Sequence, residues 1–467
     1  MADINIVKGH DIQISGQPDD VVNKSELLDS VAIKPYQFNG IKPKLLVKEG
    51  DSVKIGSPLF KCKSNEQISF PSLGGGKIKK IEYGERRRIE KIVIKLSKKE
   101  ELCSTNSYKL DEIDSLSAES VLSIMIDNCL FPFIRQRPFN NIADPQKTPR
   151  DIFVSGWNTA PLSVNLDLAL RGRRTQFQAG VKILDKLTSG RVHLSHNENT
   201  VSDSFLNLEN VVTHSVSGPH PAGNVGIQIH HIAPIGSNEH VWVVNAQDVA
   251  RIGSFFLTGE LDTTLYISIG GPSVTQPTHF KSRIGAQLKP LLGDKLKEGE
   301  NRIISGDVLT GNKVDIENYI NFYDSSISVI PEGGKREFLG MLRPGSASSR
   351  YSLTNAFLGS ITRGYNFNTL KNGSERYMVP INSWEDVLPM DILPNPLYRA
   401  ILAEDIEEME QLGIFECDEE DFALCSFACP RSILLGHAKL HRAKSSSSHS
   451  KIPSCSISSI SSARIAL

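Results

Sequence analysis

The chain has 467 residues, of which 39% are hydrophobic and 22% charged; this is the balance of a folded globular protein, with length for several cores of roughly 100 to 200 residues each. Lys+Arg 52 against Asp+Glu 53 leaves a formal charge of -1, which excludes a whole-molecule field that would gather nucleic acid or anionic lipid. The most apolar stretch, 121–134, is broken by Asp127 and Asn128 and falls short of the roughly 20 residues that cross a bilayer; the start Met1-Ala2-Asp3-Ile4-Asn5 has no basic-then-apolar secretory pattern, so a cytoplasmic chain is expected.

In chain order, 31–33, 44–47, 58–60, 77–81 and 91–94 read as short strands. Turns at Glu49-Gly50-Asp51, Lys54-Ile55-Gly56, Gly74-Gly75-Gly76 and Tyr83-Gly84 separate them, giving a compact β domain over 1–100. The run from Val47 through Gly50-Asp51 to Phe60 resembles the first half of a biotinyl or lipoyl domain, which implies a barrel-sandwich hybrid. The next hairpin tip reads Lys63-Ser64-Asn65-Glu66-Gln67, without the usual flanked lysine, so the module is expected to be structural. Glu85-Arg86-Arg87-Arg88 reads as a solvated turn.

Ser117 caps an expected helix through Cys129, with Glu119 in its first turn. From 151 the pattern alternates: strand 151–154, helix 176–187, strands 191–194, 210–216, 226–232 and 240–245, helix 246–257, strand 263–269. Such alternation predicts an α/β domain over 117–270 with a mixed sheet. Residues 271–345 read as a small β-rich domain with turns at Ser305-Gly306-Asp307 and Thr310-Gly311-Asn312. Residues 346–430 end in helices, with Pro394 and Pro396 flanking a start near Leu397 and Gly413 closing an acidic amphipathic run. The Ser-rich basic segment 431–467 has no apolar period and is expected to be disordered or poorly packed.

Cofactor motifs are weak. Cys417, Cys425 and Cys429-Pro430 lack the C-x2-C pairs that wrap an iron-sulfur cluster, and seven scattered cysteines do not form a disulfide framework. Strand 152–154 is followed by Ser155-Gly156-Trp157, whose single glycine does not make a phosphate cradle, and no G-x-G-x-x-G or G-x-x-x-x-G-K-[ST] follows a strand. No catalytic residue and no metal site is expected.

The most unusual run is Ser217-Gly218-Pro219-His220-Pro221-Ala222-Gly223-Asn224-Val225-Gly226, with His214, His230 and His231 nearby. It ends an expected strand of the α/β domain, where ligands bind, and a neutral histidine can donate to a quinone carbonyl. His214, His220 and Gly223 are therefore the quinone-site candidates; two prolines and three glycines shaping an irregular loop explain the same run without a ligand.

Several motifs in order then carry a wider resemblance: Lys8-Gly9-His10-Asp11-Ile12, Glu49 to Phe60, Arg135-Gln136-Arg137-Pro138-Phe139, Gly218 to Gly223, Arg302 to Gly311, and Met390-Asp391-Ile392-Leu393-Pro394 through Cys425. Together they resemble the large, soluble A subunit of the bacterial sodium-pumping NADH:quinone reductases, from about residue 4 to 430. The resemblance implies a peripheral subunit on the cytoplasmic face of the inner membrane, docked on a membrane-embedded flavin subunit of a six-subunit pump that couples NADH oxidation and ubiquinone reduction to sodium export. It implies a central fold similar to the flavoprotein subunit of respiratory complex I and a β-grasp-like small domain, with no cofactor in this chain. FAD, FMN, riboflavin and 2Fe-2S centres are then expected in partner subunits, with ubiquinone as a ligand. The competing readings are a flavin or iron-sulfur carrier and a biotinyl or lipoyl carrier. From Arg431 onward the sequence departs from the family pattern, which puts C-terminal docking contacts outside what the resemblance covers.

Overall fold

A computed structural model describes residues 2–25, 27–236, 238–334, 351–352, 364–370 and 382–428. The segment 431–467 and Cys429-Pro430 lie outside the described residues, as does most of 346–381.

Alternating side chains build the N-terminal module. In strand Gly76–Tyr83, Ile78 and Ile81 turn inward while Lys77, Lys79 and Lys80 stay in water. This strand lies in a four-stranded sheet with Ser30–Ile33, Ile89–Leu96 and Ser52–Val53; Pro43–Leu45, Pro58–Cys62 and Ser69–Pro71 form a second, three-stranded sheet. Phe60 and Phe70 stack in the core at 4.2 Å, and Phe38 lies 4.5 Å from Phe70. Buried rings of this size stabilise the module by about 1.5–3 kcal/mol each.

The central sheet has seven strands in the order Ala2–Asn5, Val212–Ser217, Val192–Asn197, Ile152–Ser155, Val241–Asn245, Ile134–Arg137 and Asn141–Ile142. The first five are mutually parallel, Ile134–Arg137 runs against them, and Asn141–Ile142 pairs antiparallel with it, an α/β sheet with an antiparallel margin. Helices Arg174–Asp185 and Ala246–Thr258 cross closely because glycines meet there. A Cβ on Gly253 would lie 1.8 Å from the Gln176 carbonyl oxygen, and one on Gly180 would lie 2.1 Å from that of Val249. The capped helix after Ser117 spans Ala118–Asp127, with the Ser117 hydroxyl accepting from the Ser120 N–H at 3.2 Å.

Two expectations need correction. Residues 226–232, read as a strand, form helix Val225–Ile232 after Asn224. In Gly-Ile-Gln-Ile-His-His-Ile the first two isoleucines, Ile227 and Ile229, alternate as in a strand, but seven residues cannot separate the two periods, and packing on several sides selects the helix. Strand 263–269, read with the α/β domain, spans Thr264–Gly270 and lies in another sheet, because a hairpin pairs it with Thr278–Arg283.

That six-stranded sheet runs Asn312–Val314, Asn301–Ser305, Ser326–Pro331, Thr264–Gly270, Thr278–Arg283 and Asp19–Lys24. The N-terminal strands Ala2–Asn5 and Asp19–Lys24 thus close the edges of two sheets outside the first module. Lys34 links that module to the six-stranded sheet: its buried ammonium donates to the Tyr319 carbonyl at 2.7 Å and to Asn321 Oδ1 at 2.8 Å. Helices Pro394–Ala403, Ile406–Gln411 and Ala423–Ala428 form the C-terminal cap; both prolines lie in the first turn of the first helix, where a missing N–H costs nothing.

Candidate functional site

The loop after strand Val212–Ser217 is laced to the N-terminal segment. Gly218 (φ 128) and Gly9 (φ 136) take conformations that favour glycine, and both are approached by backbone. A Cβ would meet the Ile6 carbonyl oxygen at 2.1 Å from Gly218 and that of His220 at 2.3 Å from Gly9. His10 N–H donates to the His220 carbonyl at 2.7 Å, and His220 N–H donates to Asp11 Oδ1 at 2.8 Å.

Thr159 completes the loop. Its hydroxyl accepts from the Gly223 N–H at 2.9 Å and lies 3.1 Å from His220 Nδ1. A Cβ on Gly223 would stand 2.4 Å from the Thr159 nitrogen, so glycine permits this approach. His220 is 3% exposed, and burial lowers its pKa despite Asp307 and Asp11, which keeps the imidazole neutral.

The four histidines of this region do not converge. His214 Nε2 lies 3.0 Å from His193 Nδ1, and burial together with His193 lowers the pKa of His214 to about 4. His230 Nδ1 contacts Glu416 at 2.9 Å and its Nε2 accepts from the Asp391 N–H at 3.0 Å, while His231 Nε2 lies 2.9 Å from the Pro389 carbonyl. The last two therefore fasten helix Val225–Ile232 to the C-terminal cap.

A second centre lies beside this helix and escaped the sequence reading. Arg137, 4% exposed at the end of strand Ile134–Arg137, is paired with Asp418 and with Glu420, the latter at 2.7 Å. Asp421 is fully buried; its Oδ2 accepts from the Asp418 N–H at 2.9 Å, and burial with Glu420 nearby raises its pKa to about 7 against the opposing pull of Arg137. Asn224 Nδ2 donates to the Glu420 carbonyl at 3.2 Å. The acidic run Asp418-Glu419-Glu420-Asp421 signals a helix start, and the structure gives it a reciprocal capping box, but its distant arginine has no sequence signature.

Among the described residues no three His, Cys, Asp or Glu side chains converge as metal ligands, and no helix is long and apolar enough to cross a membrane. A Cβ on Gly156 would meet the Phe205 ring and the Ser195 carbonyl oxygen, both at 3.1 Å, so this glycine serves packing. The barrel tip is also engaged: Asn65 Nδ2 donates to Asp144 Oδ1 at 3.1 Å, and Gln146 Nε2 to Gln67 Oε1 at 3.4 Å. A carrier tip swings freely, whereas this one is docked on the α/β domain.

Three family models match in chain order: the NqrA N-terminal barrel-sandwich hybrid domain over residues 4–97, the NqrA second alpha/beta domain over 116–261, and the NQRA C-terminal domain over 266–315. The A subunit of the Na(+)-translocating NADH-quinone reductase of Histophilus somni (strain 2336) is 38% identical over 432 residues, 91% of this chain and 95% of that protein. The chain belongs to the NqrA family, the A subunits of Na(+)-translocating NADH-quinone reductases. The corresponding A subunits of Glaesserella parasuis serovar 5 (strain SH0165) and Tolumonas auensis (strain DSM 9187 / NBRC 110442 / TA 4) are likewise 38% identical, each across 91% of this chain and 95% of its own length. Membership of the NqrA family fixes the mixed α/β and β architecture and places the chain in an oxidoreductase complex. A chain of a NAD+-reducing [NiFe]-hydrogenase, solved in the air-oxidized state, is similar only at TM-score 0.34 and 10% identity, covering 48% of this chain and 49% of that one, and carries no argument.

Proposed function

We propose that the chain works by position, as the peripheral subunit on the cytoplasmic face of a reductase that couples NADH oxidation and ubiquinone reduction to sodium export. The observation that carries this reading is the match to NqrA proteins along 95% of their length, in a chain whose described helices are too short or too polar to cross a membrane. Affinity-tagged chain from detergent-solubilised membranes should recover the other subunits in fixed ratio, including one that is membrane-embedded and carries flavin. Recovery of the chain alone would overturn the reading.

The redox groups, FAD, FMN, riboflavin and 2Fe-2S, belong in this reading to partner subunits. It is supported by how the glycines are spent: the spaces beside Gly156, Gly223 and Gly226 are filled by Phe205, Thr159 and Asp421. Backbone that a cofactor phosphate would approach is closed by the chain's own atoms. A complex-I-like central fold and a β-grasp-like small domain are part of the same reading, supported by an α/β sheet followed by a mixed six-stranded sheet.

In the same reading ubiquinone contacts the loop bearing His220 and Gly223, with His214 on the strand that leads into it. Its support is the position of the loop at the carboxyl end of a parallel strand, where open α/β sheets bind ligands, and the neutral state of both imidazoles. A quinone analogue carrying a photoreactive group should label this loop within the complex; labelling confined to other subunits would remove it.

A further inference from the structure

The near-zero total charge conceals a strongly basic element in the N-terminal module. Between Lys77 and Lys99 stand ten basic and three acidic residues, a local charge of +7 in a chain whose total is -1. These residues form the hairpin Gly76–Tyr83 and Ile89–Leu96, its tip at 84–88, and the exit at 97–99. Internal pairing consumes little of the charge. Lys80 and Lys91 share Glu82 at 3.4 and 3.1 Å, and Arg88 lies over the Tyr36 ring at 5.5 Å. Lys77, Lys79, Lys95, Lys98, Lys99, Arg86 and Arg87 make no ion pair among the described residues and, all seven, are exposed.

Three features of the hairpin oppose folding and gain nothing inside the chain. Lys77 stands directly opposite Lys95, a cross-strand pair of like charges. A register shift between Ile78 and Lys80 leaves two successive lysines, Lys79 and Lys80, exposed. At the tip Arg86 (φ 53) and Arg87 (φ 56) adopt the left-handed conformation that a Cβ disfavours, and both side chains are in water. Beside them Tyr83 is 54% exposed and Tyr36 49%. Arginines and lysines flanked by exposed tyrosines are the composition that settles at a bilayer headgroup layer.

We propose that this hairpin rests on the anionic headgroups of a phospholipid membrane. The proposal rests on the reading of the chain as a peripheral subunit of a membrane complex and adds a direct lipid contact to it. Charges scattered along two eight-residue strands, with no groove between them, fit a fluid anionic surface, which adjusts to them, better than a protein face, which would need a matched acidic residue for each.

The test is sedimentation of the full chain with phosphatidylglycerol-containing vesicles and with pure phosphatidylcholine vesicles. Binding should be confined to the anionic vesicles and fall as salt rises. R86S and R87S should each weaken it about fivefold, and the double variant about 25-fold, without a change in melting temperature. Arg171→Ser, at an exposed arginine of the α/β domain, should leave it unchanged. Equal binding to both vesicles, or an unweakened double variant, overturns the proposal. If the double variant loses partner subunits in pull-down while vesicle binding persists, the patch serves an acidic protein face and the lipid assignment is wrong. A chain that recovers its partners but ignores vesicles sinks this proposal alone; one that does neither sinks the functional reading as well.

Discussion

The carboxyl group of Asp421 fills the space that a side chain on Gly226 would need: a Cβ there would lie 2.3 Å from Asp421 Oδ2. This contact joins the first turn of helix Val225–Ile232 to the C-terminal cap, and Asp421 cannot swing aside because it is fully buried and held by the Asp418 N–H. Gly226→Ala should therefore destabilise the chain by about 1–3 kcal/mol in denaturant titration, as overpacking does. Adding Asp421→Ala should cost less than the two single changes summed, because the residues touch.

Asp421 also gives the cap a pH dependence. Its pKa is raised from 3.8 to about 7 in the folded chain, so the folded state holds a proton that the unfolded state has released. The contribution is fully present below the unfolded value and lost as pH rises through the folded one, with a slope of up to about 1.4 kcal/mol per pH unit. Compared with Asp421→Asn, the parent chain should lose stability between about pH 4 and pH 7. Parallel stability profiles for the two proteins would remove Asp421 as the titrating group.

Lys34 and Asp324 test how the barrel is held to the six-stranded sheet. Burial lowers the pKa of Lys34 to about 8 despite the attraction of Asp324, and burial raises that of Asp324 despite Lys34 and the Ser305 hydroxyl at 2.7 Å. Lys34→Met should cost about 1–3 kcal/mol, since it removes the buried donor to the Tyr319 carbonyl and Asn321 Oδ1 and the cation that attracts Asp324. Lys34→Met with Asp324→Asn should recover part of that loss, whereas an equal or larger deficit would show that the two groups are not coupled.

The Thr159 hydroxyl serves two loop groups at once, the Gly223 N–H and His220 Nδ1. Thr159→Val keeps the shape and removes both bonds, so a loss of about 1–3 kcal/mol is expected. Thr159→Ser should retain most of the stability, and a Val variant as stable as the parent would mean that the loop is held by its glycines and prolines alone.

What the sequence disclosed follows from the range of the forces. The helix after Ser117 was legible because a cap and its first turn are local. The barrel was legible because its turns carry glycine and aspartate at set positions, as at Gly50-Asp51, where Lys48 N–H donates to Asp51 Oδ2 at 2.7 Å. Strands Ala2–Asn5 and Asp19–Lys24 were not, since one is four residues long and the other is exposed almost throughout; both are set by distant partners, Val212–Ser217 and Thr278–Arg283. Around His220 the sequence marked the loop but not its fastening to Gly9, Asp11 and Thr159. The Arg137 and Asp418 to Asp421 centre was hidden for the same reason: its halves are some 280 residues apart, as in the Arg137 to Glu420 bond with a separation of 283.

The absorbance spectrum of the freshly purified chain tests the central claim most directly. A protein that acts by position, with its glycine spaces filled by its own side chains, should be colourless above the protein band and release no flavin on denaturation. Stoichiometric flavin, or the visible bands of an iron-sulfur cluster, would contradict it.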